Sequence, residues 1–283
     1  GGLAWIDFSA GKWSGLSTGQ EMETWQWLAK MEAREVLCPE GQKLPAQFAD
    51  LAPRITWLGQ HPYFDFKRAR ERILAVQGVA GLEPLDLEDK PALVCCCGAI
   101  LRYLQQTQKK DLTHLPPFAP LQLKKHLILD EVTERNLELF KRLDGGTGSG
   151  TLWQVVNQTR TPMGSRLLRA RLRHPFRDLK RIQEIQDAVV FFHEQETLRR
   201  DLRQSLHAVY DLERLSTRII LDRGTPRDFV SLRLSLAQLP PMQRRIEQDL
   251  GEHPPRALDE MVRSWDNLED CCRLLADSLL DNP

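Results

Sequence analysis

LILDEVTERNLELFKRLDGGTGSGTLWQVVNQTRTPMGSRLLRARLRHPFRDLKRIQEIQDAV, residues 127–189, is the stretch whose reading decides the fold. Asp130 suits the N-cap of a helix running to about Leu143, because a short side-chain oxygen can accept a backbone N–H that the first helical turn leaves unpaired. Thr161-Pro162 offers a cap and then a proline at the first helical position, where its missing N–H costs nothing. From Asp178 onward the apolar residues Leu179, Ile182, Ile185, Val189 and Phe192 recur at helical spacing. The grammar is that of packed amphipathic helices.

Between the first two of these helices lies DGGTGSGTLW, residues 144–153. Its glycines invite a phosphate-loop reading, and Gly145 and Gly150 have the required separation. Thr151 and Leu152, however, stand where such a loop needs Lys followed by Ser or Thr. The preceding LELFKRL also reads as helix where a strand is expected, so the run is read as a flexible connector.

Downstream, Thr225-Pro226-Arg227-Asp228 repeats the cap-proline signal with an acid in capping-box position. Leu232, Leu236 and Leu239 then follow Phe229 at helical spacing. Finally Leu258, Met261, Trp265, Leu268, Cys272, Leu275 and Leu279 alternate at intervals of three and four, a heptad seam. It predicts one continuous last helix, about 30 Å long.

Upstream the pattern changes. LAWIDF (3–8) and KWSGL (12–16) flank Ser9-Ala10-Gly11 and predict a hairpin. EMETWQWLAKM carries Met22, Trp25, Leu28 and Ala29 on one helical face, and REVLC and RITWL read as short strands. Strands alternating with helices predict an α/β sheet covered on at least one face. The prolines of LPPFAP (115–120) interrupt regular structure, which places a domain boundary there: an α/β domain at 1–114 and a helical one at 115–283.

The totals exclude several classes. The chain has 283 residues with Lys plus Arg and Asp plus Glu both at 39, so no net field draws it to DNA or an anionic membrane. No apolar run approaches the roughly 18 residues of a membrane span, and the expected location is cytoplasmic. The cysteines at 95–97 are adjacent rather than spaced as metal ligands. Leu93, Cys97, Ile100, Leu101 and Leu104 form a helical stripe, predicting buried reduced thiols. His193 opens HEQET, which lacks the second histidine of a zinc-protease helix.

Two charged features remain. Arg166, Arg169 and Arg173 share one helical face within the basic segment 160–181. They could face phosphate, or pair with acids such as Glu131, Glu134 and Glu138. Asp7 on the first strand is where a ribonuclease H-type metal nuclease keeps one ligand. No second carboxylate can be tied to it. No nucleophile with an identifiable base partner is present, so no catalytic residue, bound cofactor or metal is assigned.

The quoted stretch resembles the core domain of the MutS family of DNA mismatch-repair proteins. The likeness lies in the capped helix with R-N-L-E-L, the glycine-containing loop before T-L, the T-P-M-G-S-R-L-L helix start and the P-x-x-D helix. DLERLSTRIILDRGTPRDFVSLRLSL (211–236) continues it, and LAWIDFSAGKW with EVLCP is similar to the family's connector domain. The resemblance implies a ribonuclease H-like α/β connector followed by a helical core and first lever helices, in a segment of a longer chain. It implies that the mismatch-reading domain, the clamp and the ATPase with its ATP and Mg belong to other parts of such a protein. It implies a homodimer around DNA and a connector surface for a MutL-type partner. The segment itself would relay conformational change, with Gly146, Gly148, Gly164 and Gly224 as candidate hinges. Two other readings stay open: a self-sufficient helical scaffold binding nucleic acid through 160–181, and a metal nuclease using Asp7.

Overall fold

The computed structural model describes residues 1–7, 11–31, 33–108, 112, 115, 117–122, 125–146 and 149–279, with only the backbone of Glu131. The chain divides into two compact units, 1–123 and 124–283.

The first unit opens with strands β1 (Gly2–Asp7) and β2 (Lys12–Ser17), paired antiparallel from Gly2 opposite Ser17 to Asp7 opposite Lys12. This is the expected hairpin; Ser9 and Ala10 of its turn lie outside the described residues, and Gly11 has φ +60°. Helix α1 (Glu21–Lys30) follows, then β3 (Val36–Pro39), a 3-10 segment and β4 (Ile55–Leu58). After the short α2 (Gln60–Tyr63) come α3 (Phe66–Gln77), α4 (Pro91–Gln108) and the two-residue strand β5 (Ala119–Pro120).

Among the described residues the strands form two sheets rather than one. β1, β2 and β5 make a three-stranded sheet, while β3 and β4 pair in parallel by themselves. Each has its own apolar layer. Trp25 and Leu28 of α1 pack with Val36, Cys38, Phe48 and Leu51 around the β3–β4 pair. The main core gathers α3 and α4 around Trp13, and the stripe expected on α4 is confirmed: Leu93, Cys97 and Leu101 are fully buried. Burying side chains of this size stabilises by about 1.5–3 kcal/mol each. Phe118 meets the Trp13 ring edge-on with centroids 5.2 Å apart, and β5 hydrogen-bonds to β2. Residues 115–122 therefore belong to the first unit, and the division falls at 123/124 instead of at 114/115.

The described part of the second unit is helical: α5 (Glu131–Asn136), α6 (Leu152–Val156), α7 (Pro162–Arg173), α8 (Leu179–Glu194), α9 (Glu196–His207), α10 (Leu212–Ile220), α11 (Pro226–Leu236), α12 (Leu239–Asp249), α13 (Arg256–Arg263) and α14 (Glu269–Ser278). The expected caps are in place. Asp130, Thr161 and Thr225 each accept a first-turn N–H, as does Asp178, which was not expected to cap, and Asp228 completes the box by accepting from the Thr225 amide at 2.8 Å. Leu198, Leu202, Met242 and Ile246 form the α9–α12 core.

Two expectations fail here. The helix begun at Asp130 does not reach Leu143 but ends after Asn136, where Glu138 turns to φ +46°. That turn buries Leu139 and Phe140, and the carbonyls of Glu138 and Leu139 accept the amides of Leu152 and Trp153 at 3.1 and 2.9 Å. The heptad seam is likewise not one helix. α13 and α14 are separated by Ser264–Leu268, where the Leu268 amide donates to Asp266 Oδ1 (2.8 Å) and Leu268 has φ +48°. Asp and Asn side chains compete with the helix for its backbone groups, and here that local chemistry overrides the apolar period.

Candidate functional site

The candidate site is the arginine face of α7, because ion pairs and cation–π contacts to residues from α5 to α10 meet there. The Thr161 cap fixes the start of α7, with the Gly164 N–H donating to Thr161 Oγ1 at 3.0 Å. Spacing of three and four residues then puts Arg166, Arg169 and Arg173 on one side.

Arg166 donates to both oxygens of Asp211, at 2.7 and 2.6 Å, and twice to Glu213 Oε2, at 3.1 and 2.7 Å. All three side chains are mostly shielded from solvent. The Asp211 hydrogen bonds hold the Arg166 guanidinium above its ordinary value, and in return hold the Asp211 carboxyl below its own. Asp211 also accepts the Arg214 amide at 3.3 Å, so one carboxylate caps α10 and grips α7.

Arg169 lies over two rings, 4.6 Å from the Phe140 centroid and 5.7 Å from that of Trp153. Arg173 covers Phe140 from 4.9 Å and stands 3.9 Å from Glu134 Oε1. A cation over an aromatic face is worth about 0.5–2 kcal/mol as it becomes desolvated. The face thus ties α7 to α5, α6 and α10. Of the acids expected to serve it, Glu134 does. Asp211 and Glu213, together with Phe140 and Trp153, are the partners that sequence reasoning missed. The other cations of the basic segment behave differently: Arg160, Arg171, Arg177 and Lys180 are exposed, and Arg181 pairs with Glu184 at 3.1 Å.

The glycine-rich run is a hydrogen-bonded turn in its described part. Gly145 and Gly150 have φ of +82° and +100°, a region glycine enters without strain. The Gly146 amide donates to Asp144 Oδ1 and its carbonyl accepts from the Arg142 amide, both at 2.8 Å. Arg142 and Asp144 are also ion-paired. Gly148 lies outside the described residues. Gly224 precedes the Thr225 cap, where a Cβ would press on Ile219 and Phe229 at 3.0 and 3.2 Å.

Asp7 ends β1 opposite Lys12. Among the described residues no group of three or more His, Cys, Asp or Glu side chains is placed to hold a metal ion. No helix formed by them is long and apolar enough to cross a membrane.

Comparison with known proteins matches both units. Residues 1–116 fit the family model for MutS domain II, and residues 132–283 the model for MutS domain III. Over its full length the chain is 50% identical to the DNA mismatch repair protein MutS of Oleidesulfovibrio alaskensis, 47% to that of Nitratidesulfovibrio vulgaris and 40% to that of Lawsonia intracellularis. In each case the match takes in 33% of the relative, so the chain spans about a third of the length of the curated relatives it matches.

Proposed function

This chain belongs to the MutS family, contributing its connector and core domains, and from that premise we propose that it acts as a conformational relay. The observation that carries the reading is the α7 face. One arginine clamps two acids of α10, and two others stack on aromatics of the α5–α6 region, so the helices around α7 move as a block. Coupling between distant sites requires stiff elements joined at points with more than one arrangement. We assign Arg166, Arg169 and Arg173 to internal stiffening rather than to phosphate contact, and keep Gly146, Gly148, Gly164 and Gly224 as the candidate joints, Gly164 lying in the capped first turn of α7.

In this reading the chain does no chemistry. ATP and Mg act in the ATPase region of the whole protein, mismatched DNA is met mainly by other domains, and the protein works as a cytoplasmic homodimer. The first unit is read as a ribonuclease H-like connector offering a surface to a MutL-type partner; the antiparallel hairpin followed by a parallel β3–β4 pair supports it. A stand-alone nucleic-acid scaffold would have to use the exposed Arg160, Arg171, Arg177 and Lys180.

The test is made in the full-length protein. Replacing Gly146 and Gly148 by proline removes the Gly146 amide bond to Asp144 and fixes the turn. ATP-triggered sliding-clamp formation on mismatched DNA should weaken while mismatch affinity is retained. Unchanged coupling in the doubly substituted protein eliminates the joint at this turn.

A further inference from the structure

The closely packed helices of the second unit sort into two sets. In one, α9 packs on α8 and α12, and α8 on α13; in the other, α10 and α14 pack on α11. The arginine face ties α5, α6 and α7 to the α10–α11 set through Arg166, Arg169 and Arg173. The chain crosses between the sets at 174–178, 208–211, 237–238 and 264–268, each time outside a helix.

The α8, α9, α12, α13 set has a core of its own. Leu198 and Leu202 are buried with Met242 and Ile246, and Phe191, Phe192 and Val262 pack against them. Among the described residues α10, α11 and α14 contribute nothing to that cluster. Hydrogen bonds span the division. Asn267 Nδ2 donates to Gln243 Oε1 at 2.7 Å while its Oδ1 accepts from Trp265 Nε1 at 3.0 Å. Ser235 Oγ accepts the Tyr210 amide, and Arg203 Nη1 donates to the Gln158 carbonyl, both at 2.9 Å. A cleft of about 280 Å³ lies on the division as well, lined by Leu236, Ala237, Pro240, Asn267, Cys272 and Ala276. Close-packed apolar contacts resist deformation, because any opening leaves atoms without partners. Hydrogen bonds exchange with water at small net cost, so a division held by them yields first.

We propose that the second unit bends along this division. The α8, α9, α12, α13 set swings as one body against the α5–α7, α10, α11, α14 set, with 237–240 and 264–268 as the flexing segments and the cleft as the space that opens and closes. Two bodies, each held by its own packing and joined by short non-helical segments, have the construction of a hinge. The inference rests on packing inside the second unit and goes beyond the relay reading, which it does not need.

The experiment measures distances between spin labels in the 283-residue chain carrying Cys95→Ser, Cys271→Ser and Cys272→Ser, so that the introduced thiols are the ones labelled. One pair spans the division, Gln204→Cys on α9 with Ser216→Cys on α10; the other stays inside one set, Gln204→Cys with Gln248→Cys on α12. All three positions are exposed. The distance distribution across the division should be about twice as wide as the one within the set, as hinge motion between two stiff bodies requires. Asn267→Ala removes the bond to Gln243 and should widen the first distribution further, whereas Ala276→Leu fills the cleft and should narrow it. Neither should alter the second. Where a variant does not fold, the two distributions of the otherwise unsubstituted chain carry the decision. A distribution across the division as narrow as the one within the set, or a width that neither folded variant changes, would overturn the proposal.

Discussion

Arg166 and Asp211, 45 residues apart in sequence, meet in a two-point contact at 2.7 and 2.6 Å that joins the middle of α7 to the cap of α10. Removing the cation would take the shared fork from Asp211 and Glu213, which are mostly shielded from solvent, and leave Asp211 facing the more exposed Arg214 at 3.5 Å. Breaking a shielded pair from one side costs more than the pair contributes, and partial exposure reduces the full buried penalty to about 2 kcal/mol. Arg166→Ala should lower the second unit's denaturation midpoint by that amount. Arg166→Lys should recover less than half, since an ammonium cannot reproduce the fork. Full recovery with lysine would show that charge alone matters there.

The same contact makes stability depend on pH, with a definite sign. Hydrogen bonds from Arg166 hold Asp211 below its unfolded value of 3.8, and the Thr225 amide does the same for Asp228. The unfolded chain therefore binds more protons near that value, so these contributions are present above it and disappear as pH falls through the lower folded values. Urea midpoints of the second unit should be nearly flat above about pH 5 and decline below about pH 4. Asp211→Asn should start lower and decline less. Parallel curves for variant and wild type would remove Asp211 from the acid response.

Thiol reactivity offers a check on the first unit's core. Burial pushes the Cys38 thiol up to about 11 and the Cys96 thiol up to about 12, and holds Cys97 well above the usual range. At pH 8 a thiol with a pKa near 11 is thiolate for about one molecule in a thousand, and the thiolate is the nucleophile. A disulfide reagent added to the native chain should modify the half-buried Cys271 and Cys272 and leave Cys38, Cys96 and Cys97 intact until denaturant is added. Rapid native labelling of Cys97 would mean that α4 opens far more readily than its packing implies.

What was legible in the sequence was local. Asp130, Thr161 and Thr225 could be read as caps because the side chain and the amide it accepts lie within three residues. The hairpin and the α4 stripe were legible from periodicity for the same reason. The arginine face was visible as a face, but its partners were not. Asp211 and Glu213 arrive from 45 and 47 residues away, and nothing in DLER distinguishes a carboxylate that grips a distant arginine from one that only caps a helix. Two of the five apolar positions that defined α8, Leu179 and Val189, remain exposed, so the period located the helix without stating what covers it.

Leu268 tests where periodicity and local chemistry disagree. It occupies a seam position in the heptad reading, yet has left-handed backbone angles of φ +48° and ψ +42° at the N-cap of α14. Its side chain is 40% exposed, so little burial is lost on truncation. A left-handed conformation costs a residue bearing a Cβ about 1–2 kcal/mol, and glycine avoids that cost. Glycine's greater freedom in the unfolded chain offsets part of the gain, leaving Leu268→Gly more stable by about 0.5 kcal/mol. In a continuous helix the same substitution would destabilise by about 1 kcal/mol and also remove an apolar seam contact. The two arrangements therefore predict opposite signs for one variant. A lower denaturant midpoint for Leu268→Gly would restore the single long helix; a higher one, with Leu268→Asn close behind because asparagine also tolerates this region, would establish the break between α13 and α14.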